Sequence, residues 1–470
     1  MATFWKRIVL TGGVLLFLPG LLLAANALCV TPLMALSGSN DSWGVMYGVA
    51  SLTLATLTLG AGWVLYRHAD QSLKGKPSRA LFLPPLELGL VVFVILLFVG
   101  LVITQGGILP GLFFPPVLLI LAALPPLWAV SWFTPTLPPL HPPIFGVQNG
   151  GTEGGGLTWR RGLVAFCGGA TVSVFLAILL EILFPAGILA LVFTAGSVLD
   201  RLTSLFDSLF GPNVSQSLTS PSFVYVFVQI AVIAPLVEEL VKPLVTLPLL
   251  RRLNKQETFW VGALAGAGFA AVENVIYAGG GFALWAGILL VRALGGALHP
   301  LGSGLVALGW RDVLRGEPNA PVNWVRKYAL AVLVHAAWNG GSLLVITLGG
   351  AQFFGILPPE IGILGLSMAG STLAFLLILG LAALWIGRAY GYNRPLTAAP
   401  EADSASAAVV SPPEVAPVPS GPGVLPPELL APVPSGSGAV LSERALALWG
   451  LACLLALVPM GIAGLKLWLH

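Results

Sequence analysis

The feature that most limits what this chain can become is a succession of long, unbroken apolar runs, separated by short segments that hold most of its Lys and Arg. Wound as a helix, a run of about 20 apolar residues matches the hydrocarbon thickness of a bilayer. About eleven such runs occur, at 8–28, 43–66, 86–104, 109–132, 162–184, 223–250, 258–278, 282–310, 325–348, 361–386 and 444–467. Strands also cross bilayers, but they alternate polar and apolar residues over about ten positions. These runs do not alternate, so helices are expected. Only 9% of the residues are charged, 57% are hydrophobic, and mean hydropathy is +0.93. A soluble domain carries roughly 25% charged residues. The composition excludes an ordinary soluble enzyme, a disordered chain and a nucleic-acid binder. The expected fold class is all-α, a polytopic transmembrane helical bundle.

Orientation follows from where the basic residues fall. Lys6 and Arg7 precede the first run; Arg67, Lys74, Lys76 and Arg79 follow the second; Arg160 and Arg161 follow the fourth. Arg251, Arg252 and Lys255 follow the sixth, Arg311, Arg315, Arg326 and Lys327 the eighth, and Arg388 and Arg394 the tenth. Every second loop is basic. By the bias of Lys and Arg toward the cytoplasmic side, the N-terminus is cytoplasmic and the C-terminal end lies outside. Lys6-Arg7, the first run and Ala25-Asn26-Ala27 also look like a cleavable signal, but the run exceeds a usual signal core, which favours a retained helix.

The chain divides into N-terminal transmembrane helices (1–222), a candidate catalytic four-helix core (223–348), one further helix (349–397), a Pro/Ala-rich linker (398–440) and a last helix (441–470). The linker has no aromatic residue and nearly repeats a Pro-, Val- and Ser-containing stretch, so it cannot bury a core. An extra half-span could lie at 185–196, and 134–158 is irregular, Pro-rich and then Gly-rich. The three cysteines (Cys29, Cys167, Cys453) are scattered and read as small apolar residues, with neither a disulfide framework nor a thiolate metal site. High Ala, Gly and Pro usage hints at a bacterium, hence a multi-pass protein of the plasma membrane.

An ionisable group inside a span costs at least a few kcal/mol, so each one asks for a reason. Runs outside 223–348 have none or carry them only near an end; those between 223 and 348 concentrate them. The sixth contains Glu238-Glu239-Leu240-Val241-Lys242, bracketed by Pro235 and Pro243. Lys242 can reach either Glu on one helix face, so one Glu can pair with it while the other faces a cavity. A plain ion pair at the helix end would leave the second Glu unexplained. The seventh contains Phe269, Glu273 and Asn274 after Gly262, Gly266 and Gly268; the eighth contains Arg292 and His299; the ninth contains His335 and Asn339, four apart on one face. Arg292 reads as a counter-ion for Glu273 or for Glu181 of the fifth run.

Glu238, Glu239, His299, His335 and Asn339, with Lys242 nearby, are expected near one level on four successive helices. Two chemistries fit. A carboxylate can take a proton from water while His and Asn donors stabilise the oxyanion of an attacked amide. Alternatively, His299, His335 and Glu239 can hold Zn²⁺ with water in the fourth place. No His-Glu-x-x-His sequence is present, and the residues leave both routes open.

Glu238-Glu239-x-x-Lys242, Phe269-x-x-x-Glu273-Asn274, His299 and His335-x-x-x-Asn339 together resemble the PrsW family of intramembrane proteases, a relative of the CAAX prenyl endopeptidase and ABI group. The resemblance covers about 223–348. It implies a membrane-embedded peptidase, glutamate-dependent or metal-dependent, whose substrates are membrane proteins or membrane-bound peptides within the lipid bilayer. It assigns Glu238 and Glu239 as the water-activating pair, His299 and His335 as catalytic or ligand groups, and Asn339 as support for the oxyanion or for His335. Lys242, Phe269, Glu273, Asn274 and Arg292 are supporting residues. Glu273 stands where the wider group tends to place a His. Two competing functions remain: a proton-coupled transporter, for which inverted repeats would speak, and a non-catalytic membrane scaffold, which would not need so full a polar set.

Overall fold

The structure is a computed structural model that describes residues 2–36, 42–74, 81, 83–105, 109–134, 158–183, 221–251, 253–353 and 359–392. Among these residues it is helical, with no strand. The helices are α1 (Ala2–Leu36), α2 (Ser42–Leu73), α3 (Leu86–Ile103), α4 (Leu109–Phe133), α5 (Trp159–Leu183), α6 (Val224–Leu250), α7 (Lys255–Gly280), α8 (Phe282–Leu294), α9 (Leu298–Arg315), α10 (Ala320–Phe353) and α11 (Pro359–Gly391). Among the described residues, nine helices are long and apolar enough to span a bilayer, or ten if the bent pair α8–α9 forms one span. The expected all-α polytopic bundle is what the chain adopts. The linker 398–440, the run at 444–467 and the half-span at 185–196 lie outside the described residues, as does nearly all of 134–158.

One expected span is not continuous. The run 282–310 breaks at Gly295, Gly296 and Ala297, where α8 and α9 meet at 41°. Gly295 has the indole of Trp338 against its Cα, and Gly296 has Pro125. Neither site has room for a side chain, and the bend lets α10 and α4 approach the break.

The helix ends that carry basic residues meet at one end of the bundle. Lys6 donates to the Ser72 carbonyl (3.1 Å), Arg160 to Gln71 (3.1 Å), and Arg161 lies 3.5 Å from Glu257. Arg251 donates to the Leu314 carbonyl, and Arg311 and Arg315 both donate to the Leu253 carbonyl. A topology in which alternate loops are basic requires this gathering.

The bundle is built around α7, whose apolar window is 94% buried. Asn254 caps its start, accepting from the Glu257 N–H (2.8 Å) while the Glu257 carboxylate accepts from the Asn254 N–H (3.2 Å). Small residues bring its neighbours to backbone contact. A Cβ at Gly266 would strike the His299 carbonyl on α9, and one at Gly268 would strike the Phe166 carbonyl on α5. The α7–α9 contact therefore brings His299 beside Glu273, with Nε2 3.2 Å from Glu273 Oε2.

Packing of this kind makes Gly268 intolerant. Gly268→Ala is expected to destabilise the folded bundle by about 1–3 kcal/mol through overpacking. Gly287→Ala, where a Cβ meets nothing within 4 Å, should leave it unchanged or slightly firmer. Unfolding of the purified protein in detergent measures both.

Candidate active site and metal centre

The site begins with an irregularity in α6. Over Gln229–Ile233 the helix widens into a π-turn, and the Ala234 N–H reaches back to the Gln229 carbonyl. In that register the next donor, opposite the Ile230 carbonyl, belongs to residue 235, which is Pro and has no N–H. Asn339 Nδ2 of α10 donates to the Ile230 carbonyl instead, at 3.0 Å. Regular helix resumes over Ala234–Val241 and carries Glu238 and Glu239. Lys242 is the C-cap, after which Pro243 ends the helix. Two of the carbonyls near this end are taken by other helices. The Tyr328 hydroxyl donates to the Leu236 carbonyl (2.6 Å), and Ser173 Oγ of α5 donates to the Lys242 carbonyl (3.1 Å).

Lys242 is wholly buried, and its ammonium joins three side chains. Nζ lies 2.9 Å from Glu238 Oε2, donates to Glu239 Oε1 (2.8 Å), and lies 2.7 Å from His299 Nδ1. The Phe269 ring sits 4.6 Å beneath it. The sequence spacing suggested that Lys242 would pair with one Glu. It reaches both, because it stands at the last turn of the helix, one turn below the pair.

These contacts fix both imidazoles. An ammonium only donates, so His299 Nδ1 is an acceptor and its proton is on Nε2. That nitrogen lies 3.2 Å from Glu273 Oε2. A carboxylate only accepts, so His335 Nδ1, 2.9 Å from Glu239 Oε1, carries the proton there. His335 Nε2 is then the acceptor, and Asn339 Nδ2 donates to it (3.1 Å). The two rings meet edge to face at 4.6 Å, and Phe269 stacks on His299 at 6.3 Å.

Glu273 is held in turn. Arg292 Nη2 lies 2.7 Å from its Oε2, Arg292 Nε bonds Asn274 Oδ1, and Asn274 Nδ2 donates to the Ala122 carbonyl of α4 (2.8 Å). Of the two expected partners for Arg292, Glu273 is the one it meets. By helix rise, His335 stands about 12 Å from Lys327 and His299 about 18 Å from Arg311, so the cluster lies well inside the apolar layer.

Glu238, His299 and His335 form a group whose candidate ligand atoms all lie within 4.8 Å of one another. Glu238 is the carboxylate of this group, while Glu239 holds Lys242 and the far nitrogen of His335. The chemistry of this set suits a metal ion. Each His offers one bare nitrogen toward the group and has its protonated nitrogen beside a carboxylate, Glu239 for His335 and Glu273 for His299. That pattern orients metal-ligating imidazoles and makes them more basic. The Oε2 atoms of Glu238 and Glu239 are buried and accept no aligned hydrogen bond among the described residues.

The structure thus brings Glu238, Glu239, Lys242, Phe269, Glu273, Asn274, Arg292, His299, His335 and Asn339 into one connected cluster. Sequence reasoning sets Pro235 and Pro243 around the motif as residues that free nearby carbonyls, and that of Ile230 is such a carbonyl. It missed that Asn339 takes it, and it missed the Ser173, Tyr328 and Ala122 contacts. The proline was visible, but the π-turn that gives it this effect was not.

Residues 158–361 match the family model described as PrsW family intramembrane metalloprotease. No curated protein and no solved structure matches the chain. The matched segment runs from α5 through α10 and contains every residue of the cluster above. It supports a membrane-embedded endopeptidase with membrane-protein substrates, in a multi-pass membrane protein.

Two substitutions test the scaffold of the site. Glu273→Ala leaves the largely enclosed Arg292 without its carboxylate partner and should cost about 3–5 kcal/mol, with much of the loss recovered in Glu273→Ala/Arg292→Met; detergent unfolding reads both. Pro235→Ala gives the Ile230 carbonyl a helical donor and releases Asn339. The expected result is about tenfold slower cleavage, the worth of one hydrogen bond near 1.4 kcal/mol, with stability unchanged or raised.

Proposed function

We propose that the chain is an intramembrane endopeptidase that hydrolyses peptide bonds of membrane proteins or membrane-bound peptides, with Glu238, His299 and His335 holding a divalent metal ion. The observation that carries this reading is the convergence of those three donors within 4.8 Å inside the segment that matches the metalloprotease family. One carboxylate and two imidazoles are the ligand chemistry of catalytic zinc. Bound there, such an ion supplies a Lewis acid and a water of lowered pKa.

The chain's own residues supply the rest. Glu239 Oε2, buried and without an aligned partner, is the acceptor for the proton of the attacking water. Its other oxygen keeps the His335 proton on Nδ1, so Nε2 stays available as a ligand. Glu273 does the same for His299, and Arg292 and Asn274 hold Glu273 in place. With His335 Nε2 engaged as a ligand, the Asn339 N–H that now points to it turns to the oxyanion of the attacked carbonyl. Phe269 covers His299 and Lys242 and keeps the site dry. The basic loops put the N-terminus in the cytoplasm, and composition points to a bacterial plasma membrane.

Profiling of new protein N-termini in membranes carrying wild type, Glu238→Gln or Glu239→Gln tests this. Termini that arise only with wild type, within or beside apolar segments of membrane proteins, are the expected result. They should disappear on treatment with a membrane-permeant chelator. Identical profiles from stably inserted wild type and variants would remove the peptidase reading and favour the proton-coupled transporter.

A further inference from the structure

The most unusual group in the cluster is the Lys242 ammonium, because it already occupies the atoms that a metal ion would need. Of the three candidate donors, two face it: Glu238 Oε2 at 2.9 Å and His299 Nδ1 at 2.7 Å. The nitrogen contact is decisive. An unprotonated imidazole nitrogen has one lone pair, directed in the ring plane. It can accept from an ammonium or ligate a metal ion, not both.

We propose that Lys242 is a built-in competitor for the metal: its ammonium fills the Glu238–His299 position when no ion is bound, and it must leave that position for the ion to enter. This rests on the reading of Glu238, His299 and His335 as the metal's donors. The head group has somewhere to go. Glu239 Oε1 at 2.8 Å and the Phe269 ring at 4.6 Å are contacts that belong to neither of the two donors it gives up. Rotation about the outer bonds of the side chain can keep both while releasing Glu238 and His299.

The exchange also explains how adjacent carboxylates can sit buried in the bundle before any ion arrives. Without a cation, Glu238 and Glu239 would be two unpaired like charges in an apolar layer, a strongly unfavourable arrangement. Lys242 neutralises them in the metal-free chain, and the metal ion takes over part of that role afterwards. The lysine therefore lowers the affinity for metal while protecting the empty fold.

The test is metal binding by the purified full-length chain in detergent. Wild type, Lys242→Gln and Lys242→Met are stripped with chelator and titrated with Zn²⁺ against a chromophoric chelator. Thermal unfolding is recorded with and without Zn²⁺. Both variants should bind Zn²⁺ about tenfold or more tightly than wild type, and their melting temperatures should be lower without Zn²⁺ and rise further with it than wild type's does. If the variants fold only when Zn²⁺ is present, the exchange of one cation for the other is supported directly. Folded variants that bind no more tightly than wild type overturn the proposal while leaving the metal site intact. Variants that fail to fold both with and without Zn²⁺ also overturn it, since the two cations would then not be interchangeable. Absence of Zn²⁺ binding in wild type and variants alike removes the metal reading itself, and the competition with it.

Discussion

A single buried ammonium organises the polar cluster of this protein. Lys242 lies at the end of the Ala234–Val241 helix and ties Glu238, Glu239 and His299 together across two helices. Through Glu239 it reaches His335, and through His299 it reaches Glu273 and Arg292. Buried ion pairs of this kind rarely add net stability over apolar residues of the same volume. A chain that places five charged side chains at one level of an apolar bundle has therefore accepted a cost that packing alone would avoid. Hydrolysis of an amide bond is a use that requires such groups at that depth.

The backbone around the cluster is as specialised as its side chains. A π-turn and a proline together leave the Ile230 carbonyl open, and Asn339 closes it. A second π-turn, Gly169–Ser173 on α5, ends at Ser173, which donates to the Lys242 carbonyl. Both departures from regular helix bring a group from a neighbouring helix to the element that carries the paired carboxylates. In an apolar layer no water is at hand to satisfy a freed carbonyl, so the partner has to come from protein.

Much of this was legible in the sequence. Apolar runs against basic loops gave the helices and the meeting of their basic ends. The spacings Glu238 to Lys242 and His335 to Asn339 gave contacts that lie within one helix, where period alone decides which side chains share a face. Contacts between helices were less accessible. That His299 faces Glu273, that Lys242 serves both carboxylates, and that Asn274 reaches the Ala122 carbonyl depend on how α7 packs against α9 and α4, which no local period encodes. The break at Gly295–Ala297 had the same character: its glycines were plain to see, but the indole and the proline that demand them lie on other helices.

The glycine contacts along α7 have a mechanical meaning. With carbonyls of α5 and α9 pressed against its own backbone, this helix has no soft layer of side chains through which to slide or roll. A shift by one residue would drive an alanine or a larger group into a neighbouring main chain. The bundle consequently has a stiff axle, with His299 and Glu273 fixed to it. Any polypeptide reaching the cluster has to be admitted by movement at the periphery, where contacts are made by deformable side chains, while the backbone spacing between His299 and Glu273 is held by the glycine contacts.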